Sequence, residues 1–283
     1  MAVRALLIIW LLAALLVPQV RAAPIVVQYP RSESNTDPRK QYCFVILQMA
    51  LQRAGGAYVA RLSDFRMPQA RAMLRLQRGE DIQVFCSMTT TEREQLMLPI
   101  TIPIDKGLLG WRLILINKEQ EDRWSRNMLT AELKALRAGQ GSDWPDTGIL
   151  RSNGYSVYAT SSYDSLFEML RSKRIDYLPR SVSEVWDEAD FHRKALSVEP
   201  TLALRYTTAT YLFVRKGDTA LAAAITSGLE IMIADGSFEK VFQHHFGSMI
   251  KRSRLRERRV IELPNPYLPN GVPQGRRALL FRG

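Results

Sequence analysis

The sequence predicts an α/β protein whose second half repeats the first in outline, each half a mixed, mostly parallel sheet flanked by helices. Three observations carry this. Short apolar runs of β type alternate with runs of helical period. The alternation occurs twice, broken by Pro-punctuated extended chain (LPITIPID, 98–105) and followed by a long extended run at 202–214. A composition of 46% apolar and 9% aromatic residues can also bury a proper core, in one large domain or two lobes.

The chain opens on what reads as an export leader. Arg4 supplies the positive start, Ala5 to Val17 is a 13-residue apolar run, and Val20-Arg21-Ala22 offers small residues for cleavage, so the cut is expected after Ala22. This leaves about 260 residues for the periplasm. Thirteen residues is short of the ~20 needed to span a bilayer, and no later run is apolar enough to cross one.

Ile25 to Gln28 has a strand pattern. Asp37-Pro38 reads as an N-cap and first turn for a helix carrying Tyr42, Val45, Ile46, Met49 and Ala50, stopped by Gly55-Gly56. Strand returns at 57–62. Pro68 opens a helix with Ala70, Met73 and Leu74 expected inward, Gly79 closes it, and Ile82 to Cys86 is the third strand. This β-α-β-α-β order implies parallel strands whose carboxyl ends gather ligands.

Strand Leu108 to Ile116 begins the second half. A helix is expected from Ala131 to Ala138, a glycine-bearing turn at 139–146 (GQGSDWPD), and a helix capped by Ser142 or Asp143 and running to Ser152. Strand Ser156 to Ala159, helix Ser165 to Lys173, strand Ile175 to Leu178, the turn Pro179-Arg180-Ser181 and a helix with Glu184, Val185 and Trp186 follow. After the extended run 202–214, Asp218 is expected to cap an amphipathic helix with Leu221, Ile225, Leu229 and Met232 on one face. Ser237 then starts a short helix with Phe238, Val241, Phe242 and Phe246.

The net charge of +11 is unevenly spread. From Lys251 to Gly283 nine Lys/Arg against two Asp/Glu give +7, Arg4 and Arg21 add +2, and 23–250 retains +2. A nearly neutral body argues against nucleic-acid binding. Lys251 to Arg259 reads as a solvated helix face or a contact for an anionic partner, and the stiff LPNPYLP at 263–269 as chain lying along the body. His244 and His245 are adjacent and point apart, and His192 stands elsewhere, so no metal site and no cofactor is expected. Cys43 and Cys86 permit one disulfide in an oxidising compartment, or two buried thiols.

The chemistry-bearing stretch is SMTTTER, 87–93. Thr89, Thr90 and Thr91 place hydroxyls and amides at a strand-to-helix junction, and Arg93 adds a planar two-pronged donor suited to a carboxylate. Thr89 with Glu92, or Thr91 with Glu94, can equally form a capping box on a surface helix with a solvated Arg93.

Four pieces together resemble the type II periplasmic solute-binding proteins, specifically the family 3 group serving polar amino-acid transporters. They are the T-x-x-R turn Thr90 to Arg93, Gly79-Glu80-Asp81 before a strand, the Arg174-Ile175-Asp176 step, and VRKGDTALAAAITSGLEIMIADGSFEKVFQHHFG. The resemblance spans about 24–247. It implies two lobes, 23–108 with 208–250 and 109–207, joined by crossings near Ile104 to Trp111 and Ala203 to Ala209, with 251–283 as a tail packed on the body.

The resemblance also implies a cleft site. Arg93 matches the arginine that grips a ligand α-carboxylate, with Thr90 and Thr91 beside it and Tyr29 lining the cleft. Ser142 and Trp144 would be offered from the second lobe. Met88 stands where the family has a small hydroxyl or glycine. Arg180 and Ser181 stand where it has the aspartate for the α-ammonium, and Glu184, one turn on, is the replacement charge. The implied function is capture of a small polar, carboxylate-bearing molecule by a monomer, for an ABC transporter permease or a membrane sensor. The alternatives are a periplasmic enzyme resembling the cyclohexadienyl dehydratases, with Glu184 as its acid, and an accessory protein that binds no small ligand.

Overall fold

The computed structural model describes residues 23–34, 39–269 and 274–283. The leader and the Asp37-Pro38 cap lie outside them.

In chain order the first elements are β1 (Ile25–Arg31), α1 (Arg39–Arg53), β2 (Tyr58–Arg66), α2 (Gln69–Arg78), β3 (Val84–Met88), α3 (Thr91–Leu96) and β4 (Leu98–Ile100). β1 and β2 pair in parallel, from Ile25↔Tyr58 to Tyr29↔Leu62. The third strand departs from the expected parallel run. β3 instead pairs antiparallel with β10 (Thr210–Val214), which also carries β4, giving the order β3-β10-β4. Both β3 and β10 are buried along all five residues, a continuous pattern that in sequence reads as a parallel strand and does not fix the strand's direction. Helix α2 is also rotated from expectation: Ala72 and Leu76 are buried, whereas Ala70 and Leu74 face solvent.

The second lobe comprises β5 (Trp111–Asn117), α4 (Thr130–Ala135), β6 (Ala138–Gly141), α5 (Pro145–Ser152), β7 (Val157–Thr160), α6 (Tyr163–Arg171), β8 (Tyr177–Ser181), α7 (Val185–Phe191) and β9 (Leu196–Arg205). Its sheet has six strands in the order β11-β9-β5-β8-β6-β7, the last strand β11 being Arg259–Glu262. Here the expected helix to Ala138 ends three residues early, and the expected glycine turn is strand β6 as far as Gly141, with the turn itself confined to 142–144. The glycines serve packing: a Cβ on Gly139 would lie 2.4 Å from Ile175 Cδ1 and 2.9 Å from Leu178 Cδ2. Helix α5 starts at Pro145 with Trp144 in the cap position, so neither Ser142 nor Asp143 caps it.

Two crossings join the lobes, 101–110 between β4 and β5, and 206–209 between β9 and β10. They lie against each other, with Ile104 N donating to Thr210 O at 3.0 Å and Tyr206 N to Gly110 O at 3.1 Å. A Cβ on Gly110 would stand 2.1 Å from Tyr206 O, so contact this close requires glycine.

The chain then forms α8 (Thr219–Ala234) and α9 (Ser237–Ser253). Asp218, expected to cap α8, makes no side-chain cap bond and pairs with Arg215 at 2.9 Å. The expected short helix is the 17-residue α9, which runs into the basic segment. That segment is a solvated helix face only at its start, where Lys251 and Arg252 end α9 exposed, and beyond it Arg254 and Arg256 stay exposed while Ser253, Leu255 and Arg258 are buried. Residues 254–258 make a third passage, from α9 on the first lobe to β11 at the edge of the second lobe's sheet, where β11 pairs in parallel with β9. Arg258 is buried and donates to Ser253 O at 2.7 Å and Leu202 O at 3.0 Å, and burial lowers its pKa to about 10. No single helix among the described residues is long and apolar enough to cross a membrane.

Candidate functional site

A cavity of about 90 Å³ lies between the lobes, small beside the ~300–1,000 Å³ of ordinary ligand sites. Its first-lobe wall is the end of β3, the start of α2 and the crossing at Asp105. Its second-lobe wall is β5, the start of α5 and the end of β8.

Arg93 stands behind the first wall. The turn preceding it is capped by Thr90, whose Oγ1 accepts from Arg93 N at 3.1 Å. Neither expected capping box forms; Thr89 Oγ1 instead donates to Glu94 Oε1 at 2.5 Å. The cap turns the Arg93 side chain inward, where it is 5% exposed. It donates to Ser87 Oγ, to Met88 O at 3.2 Å, to Gln69 Oε1 at 3.3 Å and, across the gap, to Asp143 O at 3.1 Å. Burial pushes its pKa down to about 10, against the pull of Asp143 and Asp146. Among the described residues its hydrogen-bond partners are all neutral oxygens.

The second wall is a chain of buried charges. Arg112 pairs with Asp146 and reaches Glu184 Oε2 at 3.5 Å. Glu184 Oε2 also takes Arg180 Nη2 at 3.0 Å and Ser181 N at 3.1 Å. Arg180 is clasped by Glu188 and lies 4.7 Å above the Trp144 ring. Tyr206 hydroxyl accepts from Arg112 Nε at 2.7 Å and donates to Asp146. Burial acts to lower both arginines, and the surrounding carboxylates outweigh it, so both pKa values rise. Tyr206 is pushed well above its usual value by the same burial.

Asp105 joins the two crossings. It accepts from Gly107 N at 3.0 Å, Leu109 N at 2.9 Å and Thr210 N at 3.3 Å. Burial nevertheless raises its pKa, the amides compensating in part. Cys43 and Cys86 are joined in a disulfide on the same wall, their Cα atoms 6.2 Å apart.

Of the residues the sequence singles out, Met88, Trp144, Arg180 and Glu184 line the cavity. Arg93 and Thr90 lie just behind it. Tyr29 does not reach it: at the end of β1 the ring turns into the first-lobe core beside Phe44, with no exposure. Ser142 is exposed outside the cavity, its amide donating to Thr160 O at 2.9 Å. Thr91 is likewise exposed, and Ser181 is buried with its hydroxyl on Leu108 O at 3.2 Å. Sequence reading missed Asp105, Arg112, Asp146 and Glu188. A usable signal existed for Arg112, a lone charge inside the apolar strand WRLILIN, and for Glu188, one helical turn after Glu184. Among the described residues no cluster of His, Cys, Asp or Glu could hold a metal ion.

No protein-family model matches the sequence, and no curated protein matches it. Solved structures do match in fold. An ancestral arginine-binding protein bound to arginine is 17% identical, with a TM-score of 0.62 over 78% of this chain and 98% of its own. A periplasmic His/Glu/Gln/Arg/opine family-binding protein from Silicibacter pomeroyi, in complex with lysine, is 11% identical, with a TM-score of 0.61 over 79% and 97%. A histidine kinase sensor domain with similarity to periplasmic binding proteins is 16% identical, with a TM-score of 0.60 over 80% and 97%. The two sheet lobes, the crossings and these likenesses agree: the chain has the two-lobed type II fold of the periplasmic amino-acid-binding proteins.

Proposed function

We propose that this chain is an exported solute-binding protein that captures a small polar, carboxylate-bearing molecule between its lobes and presents it to a transporter permease or a membrane sensor. It acts as a periplasmic monomer without catalysis, on lobes 23–108 with 208–250 and 109–207. One observation carries the reading. The buried Arg93 guanidinium beside the cavity has neutral oxygens as its hydrogen-bond partners, so a ligand carboxylate would supply the charge partner it lacks. Met88, Trp144, Arg180 and Glu184 form the surrounding walls. Native mass spectrometry of protein purified from its exporting host tests this. A retained small acid, lost in Arg93→Ala, is the expected result, and an empty chain under all growth conditions would overturn it.

A second reading, an accessory protein that binds no small ligand, is favoured by the cavity's size and by the pairing of Arg112 and Arg180 with the chain's own carboxylates. The enzyme reading has less support. Glu184 receives two arginines and a backbone amide, all donors, which is the wrong surrounding for a carboxyl that must give up a proton.

A further inference from the structure

We infer that the chain closes its own clamp: Asp143 of the second lobe serves as a built-in ligand for the first, and the tail around Tyr267 straps the two together. As regulation of the cleft this rests on the solute-binding reading; as a statement about closure it does not.

Helix α2 of the first lobe begins after Pro68, which makes no side-chain cap bond. Its early amides therefore need acceptors from elsewhere. Ala70 N finds Asp143 Oδ2 at 2.9 Å, supplied from the opposite lobe. The same residue's carbonyl takes Arg93 Nη2 at 3.1 Å. Asp143 thus brings a carboxylate to a helix start and an oxygen to the buried guanidinium, the two kinds of contact a bound acid would use. It precedes Trp144 and Asp146, so this contact also sets the cavity's second wall against its first.

The tail makes an independent tie. Leu263 N donates to Arg205 O at 2.7 Å, and Asn153 Nδ2 to Pro264 O at 2.9 Å, anchoring the strap on the second lobe. Asn265 Nδ2 reaches the crossing at Thr207 O, 3.0 Å. The Tyr267 ring lies over Gly148 of α5, where an added Cβ would stand 3.0 Å away, and its hydroxyl is 3.2 Å from Ser152 Oγ. Tyr267 O then accepts from Thr91 N, the first residue of α3 in the other lobe, at 3.0 Å. The strap so spans the gap directly beside the Arg93 turn.

A ligand entering this cleft competes with groups already in place, and its apparent affinity falls with the fraction of molecules that are open. Amide exchange measures that fraction directly. Ala70 and Thr91 lie in the first turns of their helices, where amides have no acceptor within the helix, so their protection reports the contacts across the lobes. In mature protein shown by native mass spectrometry to carry nothing, both amides are expected to be protected. Asp143→Ala should speed exchange at Ala70 roughly two- to thirtyfold, the range for losing a helix cap, with β3 amides unchanged. Asp143→Asn, which keeps an acceptor oxygen, should retain most of the protection and serves as the arbiter should the alanine variant lose β3 protection as well. Free-peptide exchange at Ala70 and Thr91 in the empty wild type, or no change at Ala70 in Asp143→Ala, overturns the inference. Neither result depends on whether a ligand is ever found, so this idea and the solute-binding reading can fail separately.

Discussion

Arg180 and Glu188 meet in a two-pronged ion pair, Nε to Oε2 at 2.8 Å and Nη2 to Oε1 at 2.7 Å, with each side chain 1% exposed. Tyr163 hydroxyl also donates to Glu188 at 2.8 Å, which completes the carboxylate's partners deep in the second lobe. Removing one member strands the other. Arg180→Met should cost about 3–5 kcal/mol in urea unfolding because Glu184 and Glu188 lose their shared cation. The double change Arg180→Met with Glu188→Leu should recover part of that loss. A single variant within about 1 kcal/mol of wild type would mean that the carboxylates escape to water.

Asp105 sets a pH dependence with a defined sign. Its folded pKa lies above the ordinary 3.8, so just above that pH the folded chain holds more protons than the unfolded one. Stability from this group therefore falls as pH rises through the window from 3.8 to the raised value. Asp105→Asn removes this slope and sets an amide NH₂ against one of the backbone N–H donors, costing about 1–3 kcal/mol. Paired denaturant titrations should show the wild-type advantage largest at the acid end and shrinking as pH rises. A difference constant with pH would refute the assignment.

The Cys43–Cys86 disulfide closes a loop with a sequence separation of 43. By the chain-entropy relation its loss should cost roughly 3–4 kcal/mol. The double change to serine is the cleaner test, because reductant has little access to the bridge. Cys43 and Cys86 are 6% and 8% exposed. Full alkylation of both thiols in denatured, unreduced protein would show that the bridge does not form.

Arg93→Ala should abolish binding of whatever acid co-purifies with the protein. A charged two-pronged contact in a closed cleft is worth about 2–5 kcal/mol, or roughly 30-fold to several-thousand-fold in affinity. The fold should survive, with a smaller penalty from the oxygens left without their donor. Calorimetry showing unchanged affinity would move the site away from Arg93.

The sequence made some of this plain for identifiable reasons. The stripe Leu221, Ile225, Leu229 and Met232 reads as one face of a helix, and all four are buried on α8, because a long helix on a core leaves a period that side chains cannot hide. The period of α2 misled by one face, since its buried positions are only Ala72 and Leu76, while the equally apolar Ala70 and Leu74 lie exposed and Gln69, Arg75 and Gln77 are half-buried. Gly139 read as a turn because a strand glycine excluded by Ile175 and Leu178 has no local signature. The acceptor role of Asp143 was hidden for the same reason. Its partner Ala70 is 73 positions away, and nothing beside Asp143 in sequence distinguishes a cap for its own helix from a cap for another.

The third passage, from α9 to β11, has a consequence for the order in which the molecule can be made. The first lobe's central strand, β10, emerges only after the whole of β5 to β9 has been synthesised, and the second lobe's edge strand, β11, only after α8 and α9. Each lobe thus waits for a piece delivered beyond the other. Until 259–262 arrive, β9 presents an unpaired edge, the kind of template that recruits neighbouring chains. A nascent chain truncated anywhere before Arg259 should therefore be more prone to aggregate than its small loss of buried surface suggests.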